Sequence, residues 1–211
     1  MIKEWIIKKL GGATAQNDLA SPSDRTFQLL GSSATASGER VSSDRALTMP
    51  AVMAAVRILS NVFAMAPLIY YRRDDGSDRR RATGRPLFRL MHDQPSPIDS
   101  PFSWKEQLLQ DILLSGNYFG WMSRNARRDV VAITRLRPET VTVKESFDQD
   151  TGYLLLYDVT LPDGTFVRNE TSDQLLHVRG FSRNGLYGLN PIAYMREAFG
   201  AAIATNKHAA A

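Results

Sequence analysis

Two hydrophobic periods divide this chain. From Thr48 onward, apolar side chains recur every three or four residues at Val52, Ala55, Val56, Leu59, Val62, Phe63 and Ala66, which is the repeat of one helical face. Thr48 suits the N-cap and Pro50 the first turn, so a helix is predicted that packs into the core and stops at Pro67. The following PLIYYRR carries the aliphatic and aromatic residues of a strand, closed by the turn former Asp75-Gly76. A short helix through PLFRLMHD then meets QPSPIDS, whose two prolines block continuation of either regular structure. Ser100 and Pro101 open a second long helix with Trp104, Leu108, Ile112 and Leu113 on its apolar face, ending at Gly116-Asn117.

The period then changes. From Tyr118 to Val178 short runs rich in Val, Ile, Tyr, Phe and Thr are separated by RNARRD, RPET, DQDTG and PDG, the pattern of an antiparallel strand meander. Asn190-Pro191 starts a last helix with Ile192, Met195, Arg196, Phe199, Ala202 and Ile203 along one side. The pattern predicts an α+β fold, with helices flanking a mostly antiparallel sheet. Residues 47–211 form its one domain. Residues 1–46 are read as an amphipathic segment, Ile2 to Lys9, followed by a flexible arm rich in Ser, Ala, Gly and Thr. The amphipathic segment is better suited to a protein partner than to a membrane. Its longest apolar run, Trp5 to Ile7, is too short for a secretory or spanning segment.

Composition adds little to this picture, and charge adds one feature. A hydrophobic content of 43% with 23% charged residues is that of a water-facing folded protein. With no cysteine, disulfides and thiolate metal sites are excluded. Residues 72–89 hold seven Arg and three Asp, which equals the whole chain's net charge of +4. Arg79, Arg80, Arg81 and Arg85 are the candidate contacts for phosphates or for an acidic patch on a neighbouring protein. A solvated turn is the plainer reading of the same run.

The motifs of catalysis are missing. No GK[ST] follows a glycine-rich loop, no GxSxG places a strained serine, and no HExxH sets two imidazoles on one helical face. His92, His177 and His208 lie far apart in sequence. In its apolar strand LLHVRG, His177 is read as a hydrogen-bonded structural residue. Asp148, Asp150 and Gly152 depart from calcium-loop spacing and are read as a hairpin turn. Trp104, Trp121, Tyr70 and Tyr71 are assigned to packing ahead of base stacking. No catalytic residue, cofactor or metal is expected.

Several stretches together resemble the portal protein family of long-tailed phages and prophages. They are LTMPAVMAAVRILSNVFAMAPLIYYRR, PLFRLMHDQPSP, WKEQLLQDILLSGNYFGWMSRN, RLRPETVTV, YDVTLPDG and LLHVRGFSRNGLYGLNPI, in that order, from Leu47 to about Phe199. The resemblance implies the outer wing of a subunit in a ring, usually a dodecamer, at the portal vertex of the virion. That ring is assembled in the host cytoplasm. It implies the packaging terminase, the capsid, head-tail adaptors and the double-stranded DNA passing through as partners, with no membrane and no enzymatic activity. The family's stem and clip are expected to follow the last helix and are absent from this sequence. An independent nucleic-acid-binding module built on the Arg-rich turn is the alternative, and an unrecognised hydrolase is a third.

Overall fold

The computed structural model describes residues 35–37, 39, 41–73, 79–149 and 152–210. Helix α1 (Ser43–Leu47) and helix α2 (Pro50–Met65) lead to a two-stranded ribbon, β1 (Tyr71–Arg73) and β2 (Arg79–Arg81). Helices α3 (Pro86–His92) and α4 (Pro101–Ser115) follow, then strands β3 (Asn117–Arg124), β4 (Val130–Leu136), β5 (Val141–Asp148), β6 (Gly152–Thr160), β7 (Phe166–Glu170) and β8 (Leu175–Arg179). Helices α5 (Pro191–Tyr194) and α6 (Arg196–Ala210) close the chain. The amphipathic segment at Ile2 to Lys9 and most of the arm lie outside the described residues.

All strand pairs are antiparallel, but they form two three-stranded sheets, β4-β3-β8 and β5-β6-β7, in place of one meander. The chain leaves the first sheet after β4 and returns to its other edge as β8. Strand β3 therefore lies at the centre with both faces covered, which explains its continuous apolar run NYFGWM. Tyr118 faces the helices, in a cluster with Leu90, Trp104, Leu108 and Ile133. Phe119 faces the second sheet, with Leu136, Val141, Tyr157, Val159 and Leu175. The order of layers is helices, sheet, sheet.

Helix α4 starts as its sequence dictates, with the Ser100 hydroxyl accepting from Ser103 N–H ahead of Pro101. It buries two charges that the apolar pattern does not announce. Asp111, 4% exposed, receives two hydrogen bonds from the Arg135 guanidinium of β4 at 2.7 and 2.6 Å. Burial pushes the Asp111 carboxyl up, and the guanidinium opposes the shift. Lys105, also buried, donates to Ala66 O at 2.6 Å. Ala66 is the C-cap of α2, where a cation meets the negative end of the helix dipole.

Helix α2 lies against α4 and turns inward Ser60 and Ala64, with Val52 and Val56 partly buried beside them, while most of the larger residues of its stripe face outward. Ile58, Leu59, Val62 and Met65 are 62, 51, 64 and 74% exposed. Apolar residues spread over most of α2, so the stripe alone does not indicate which face turns inward; the face buried most deeply is that of Ser60 and Ala64. Its N-cap is Met49, and Thr48 instead closes α1 by donating to Arg45 O. The packed region also starts earlier than Leu47. Val41 and Ala46 are buried with Ile192 and Ile203, and Ser42 caps α1. The last helix is divided at Met195, whose backbone leaves the helical region between α5 and α6.

Asn117 joins these layers. Its amide donates to Gly188 O at 2.9 Å, and its carbonyl accepts from Gly188 N–H at 2.7 Å and from His177 Nε2 at 3.0 Å. Nε2 therefore carries the imidazole proton, and Nδ1 accepts from the Tyr157 hydroxyl of the second sheet at 3.2 Å. His177 stacks on Phe119 at 4.6 Å. Burial, reinforced by nearby Arg179, pushes it down to about 4. Gly116 ends α4 in the left-handed conformation, and its carbonyl accepts from Gly180 N–H at 2.8 Å. A Cβ on Gly188 would come within 1.9 Å of that same carbonyl oxygen.

Two stability predictions follow from this junction. Gly188→Ala forces backbone apart and lowers stability by about 3 kcal/mol, read as a lower urea midpoint with the slope unchanged. Between about pH 4 and 6.5 the unfolded chain binds a proton at His177 that the folded chain excludes. Stability therefore rises with pH across that window, by up to about 3 kcal/mol, and is complete above it. Urea titrations of the protein and of His177→Gln at pH 4.5 and 7.5 check this: the variant loses most of the pH-dependent difference.

Candidate functional site

The Arg-rich run forms the ribbon and the start of α3. Arg79, Arg80 and Arg81 constitute β2, and Arg85 is the N-cap residue of α3; all four are exposed. The antiparallel register sets Arg72 opposite Arg80 and Arg73 opposite Arg79. Like charges facing each other across a ladder oppose pairing. Backbone bonds hold the ribbon, including Ala82 N–H to Tyr70 O at 2.9 Å, which extends the ladder beyond the strands.

This ribbon bounds a groove. Tyr70, Arg72, Ala82, Arg85, Pro86 and Leu87 form one wall, and Arg124, Arg128, Asp129 and Val130 from the β3–β4 turn form the other, around about 320 Å³. A second recess of about 410 Å³ shares Arg72, Ala82 and Arg85 and adds Arg80, Arg81, Thr83 and Gly84. Of the four residues expected from the sequence, Arg80, Arg81 and Arg85 line these recesses and Arg79 lines neither. The sequence reading missed Arg72, Arg124 and Arg128. RNARRD supplies the last two, but only the chain's return through β3 and β4 brings that turn to the ribbon.

The second wall is rigid. Asn125 Oδ1 accepts from Arg127 N–H and Asp129 N–H at 2.9 and 3.0 Å, and Arg128 takes a left-handed conformation with φ 66°. The Arg124 guanidinium donates to Asp173 O at 2.6 Å and to Arg128 O at 2.9 Å. Those carbonyls orient the guanidinium without cancelling its charge. On the ribbon side, Tyr70 and Leu87 are 40 and 39% exposed, and Tyr71 is exposed beside them. Tyr70 and Tyr71 are therefore surface residues, whereas Trp104 is buried and donates to the Tyr118 hydroxyl at 2.7 Å.

The groove can attract and orient an anion, and it contains no pair of groups arranged to exchange a proton with a substrate. The buried groups with the strongest perturbation lie elsewhere. Burial pushes the Tyr118 hydroxyl up, and both it and His177 are committed to internal hydrogen bonds. Among the described residues no cluster of three His, Cys, Asp or Glu could hold a metal ion. No helix among them is long and apolar enough to cross a membrane.

Comparison with known proteins gives a consistent set. The chain is 26% identical over 165 residues to the portal protein of Enterobacteria phage HK97, covering 78% of this chain and 37% of that protein. It is 32% identical over 201 residues to a probable portal protein of Streptomyces phage phiC31, covering 89% and 41%. The chain thus spans about two-fifths of the length of these relatives. The neck of an empty GTA particle, computed with C6 symmetry, superposes with a TM-score of 0.59 at 24% identity, over 75% of this chain and 42% of the other. An HK97-family phage portal protein from Corynebacterium diphtheriae superposes with a TM-score of 0.50 at 18% identity, over 78% and 47%. Both share the mixed helical and antiparallel fold. The family described as phage portal protein matches residues 50–211, from the first residue of α2 to the end of the chain, and the chain belongs to that family.

Proposed function

We propose that this chain is the wing part of a structural subunit in a phage portal ring, the passage by which DNA is packaged into the head and ejected from it. Residues 41–211 serve as the wing-like domain preceding the family's stem and clip, and the residues before them as its arm. The ring stands at the portal vertex of the virion after assembly in the host cytoplasm. Its partners are further copies of itself, twelve by family resemblance, together with the terminase motor, capsid, head-tail adaptors and the DNA that passes through. The role is architectural, not catalytic.

The observation that carries this reading is the outward arc of α2. Ala51, Ala54, Ala55, Ile58, Leu59, Val62 and Met65 are all exposed, and no polar residue interrupts that arc. The helix has one charged residue, Arg57, among sixteen. An exposed apolar arc of this extent is uncommon on a free surface, so this face marks a surface that assembly removes from water. A ring subunit needs two unlike faces that meet head to tail. The α2 arc supplies one of them, and its occupant is the neighbouring copy. C12 symmetry in the neck of a native GTA particle, a fold relative of this chain, supports the same geometry.

Ile58→Asn combined with Val62→Asn is expected to leave the thermal midpoint within a few degrees, since both side chains are exposed already, and to abolish higher oligomers of the chain. Mass photometry and negative-stain imaging across a concentration series measure this. A wild-type chain that stays monomeric at every concentration overturns the assignment of α2 to a neighbouring copy.

A further inference from the structure

We infer that the groove between the β1–β2 ribbon and the β3–β4 turn is a docking site for a short acidic peptide segment of another protein. The inference does not rest on ring assembly, because every residue it uses lies in one copy of the chain.

Three features converge on it. Arg72 and Arg85 face Arg124 and Arg128 around about 320 Å³, with Asp129 the single carboxylate in the lining. The ribbon sets two arginine pairs directly opposite each other, Arg72 with Arg80 and Arg73 with Arg79. These pairs gather positive charge at one edge of the recess, where it attracts an anion. Guanidinium groups also match the planar, two-oxygen geometry of a carboxylate. Arg124 is fixed in the wall by Nε, Nη1 and Nη2 bonds to Asp173 O and Arg128 O, so it contributes a positioned charge, and Arg72, Arg85 and Arg128 meet the carboxylates.

The shape selects peptide over nucleic acid. A duplex is gripped by basic side chains spread along a face that follows the phosphate spacing, whereas here the charge converges on a recess that accommodates one or two side chains. Exposed Tyr70 and Leu87 give the recess an apolar edge, suited to a hydrophobic residue next to the acids. The chemistry described is a carboxylate-rich segment with one apolar anchor.

The probe is a fluorescein-labelled ten-residue peptide of Asp, Glu and Leu, with an otherwise identical Asn, Gln and Leu peptide as control and a labelled 20-base-pair duplex as the competing ligand. Anisotropy titrations of the full chain at 50 mM salt should show the acidic peptide binding at least tenfold more tightly than its neutral counterpart. Arg85→Glu with Arg128→Glu should lower that affinity tenfold or more, while Arg168→Gln, on the other sheet, leaves it within twofold. Thermal unfolding of each variant within two degrees of wild type confirms an intact fold; should the double variant unfold earlier, Arg72→Gln with Arg80→Gln provides the same test from the ribbon side. Equal affinity for the two peptides overturns the proposal, as does acidic-peptide binding that survives both double variants. Duplex binding tighter than peptide binding and lost in the same variants overturns it in favour of a nucleic-acid site.

Discussion

The fold turns on a single buried amide. Asn117 follows directly on the left-handed glycine that ends α4, and its side chain holds both the N–H and the C=O of Gly188, seventy-one residues away. Neither of those backbone groups lies in a helix or strand, so without Asn117 two polar groups would be buried unpaired, at a cost of about 1–3 kcal/mol each. The same carbonyl orients His177, which reaches Tyr157 in the second sheet. One side chain thus ties the end of α4, the centre of the first sheet, the second sheet and the loop that leads into the last helices. The convergence of Gly116, Gly180 and Gly188 follows from it, because the backbones must approach closer than any Cβ permits.

The interior is braced by polar groups as well as by apolar packing. Asp111 with Arg135 joins α4 to β4, Lys105 joins α4 to the end of α2, and Lys144 with Asp158 joins β5 to β6. Buried ion pairs add little net stability compared with well-packed apolar residues, but losing one partner strands a buried charge. Such contacts hold one arrangement against alternatives.

Local signals were legible where local physics decides. The Ser100-Pro101 start of α4 and its stop at Gly116 appear as the sequence indicates, and Asn190-Pro191 opens a helix where expected, although it breaks at Met195 before α6. The strands between Tyr118 and Val178 are present, but their partition is not a local property. β8 returns to β3 through a buried polar junction that hydrophobic periodicity does not record. Asp111 and Lys105 were hidden for the same reason: a charged residue on a helix reads as solvated until its partner is in place. The groove was half legible. Arg80, Arg81 and Arg85 stand out as a run, whereas Arg124 and Arg128 acquire significance only when β3 and β4 carry them across the fold.

The two surfaces left open by this packing differ in what can cover them. The α2 arc has shape and apolar area but no charge, so it discriminates by fit and requires a broad, rigid partner such as a neighbouring copy. The arginine groove has charge and fixed donors around a small volume, so it discriminates by chemistry and suits a short, flexible segment. They lie on different elements, α2 for one, the ribbon and the β3–β4 turn for the other, yet Lys105 holds the C-terminal end of α2 only a few residues before Tyr70 and Arg72 begin the ribbon. The two surfaces match the two proposed uses, packing against copies of the chain and receiving a segment of another protein. The short connection between them means that seating a neighbour on α2 also fixes the chain from which the ribbon emerges.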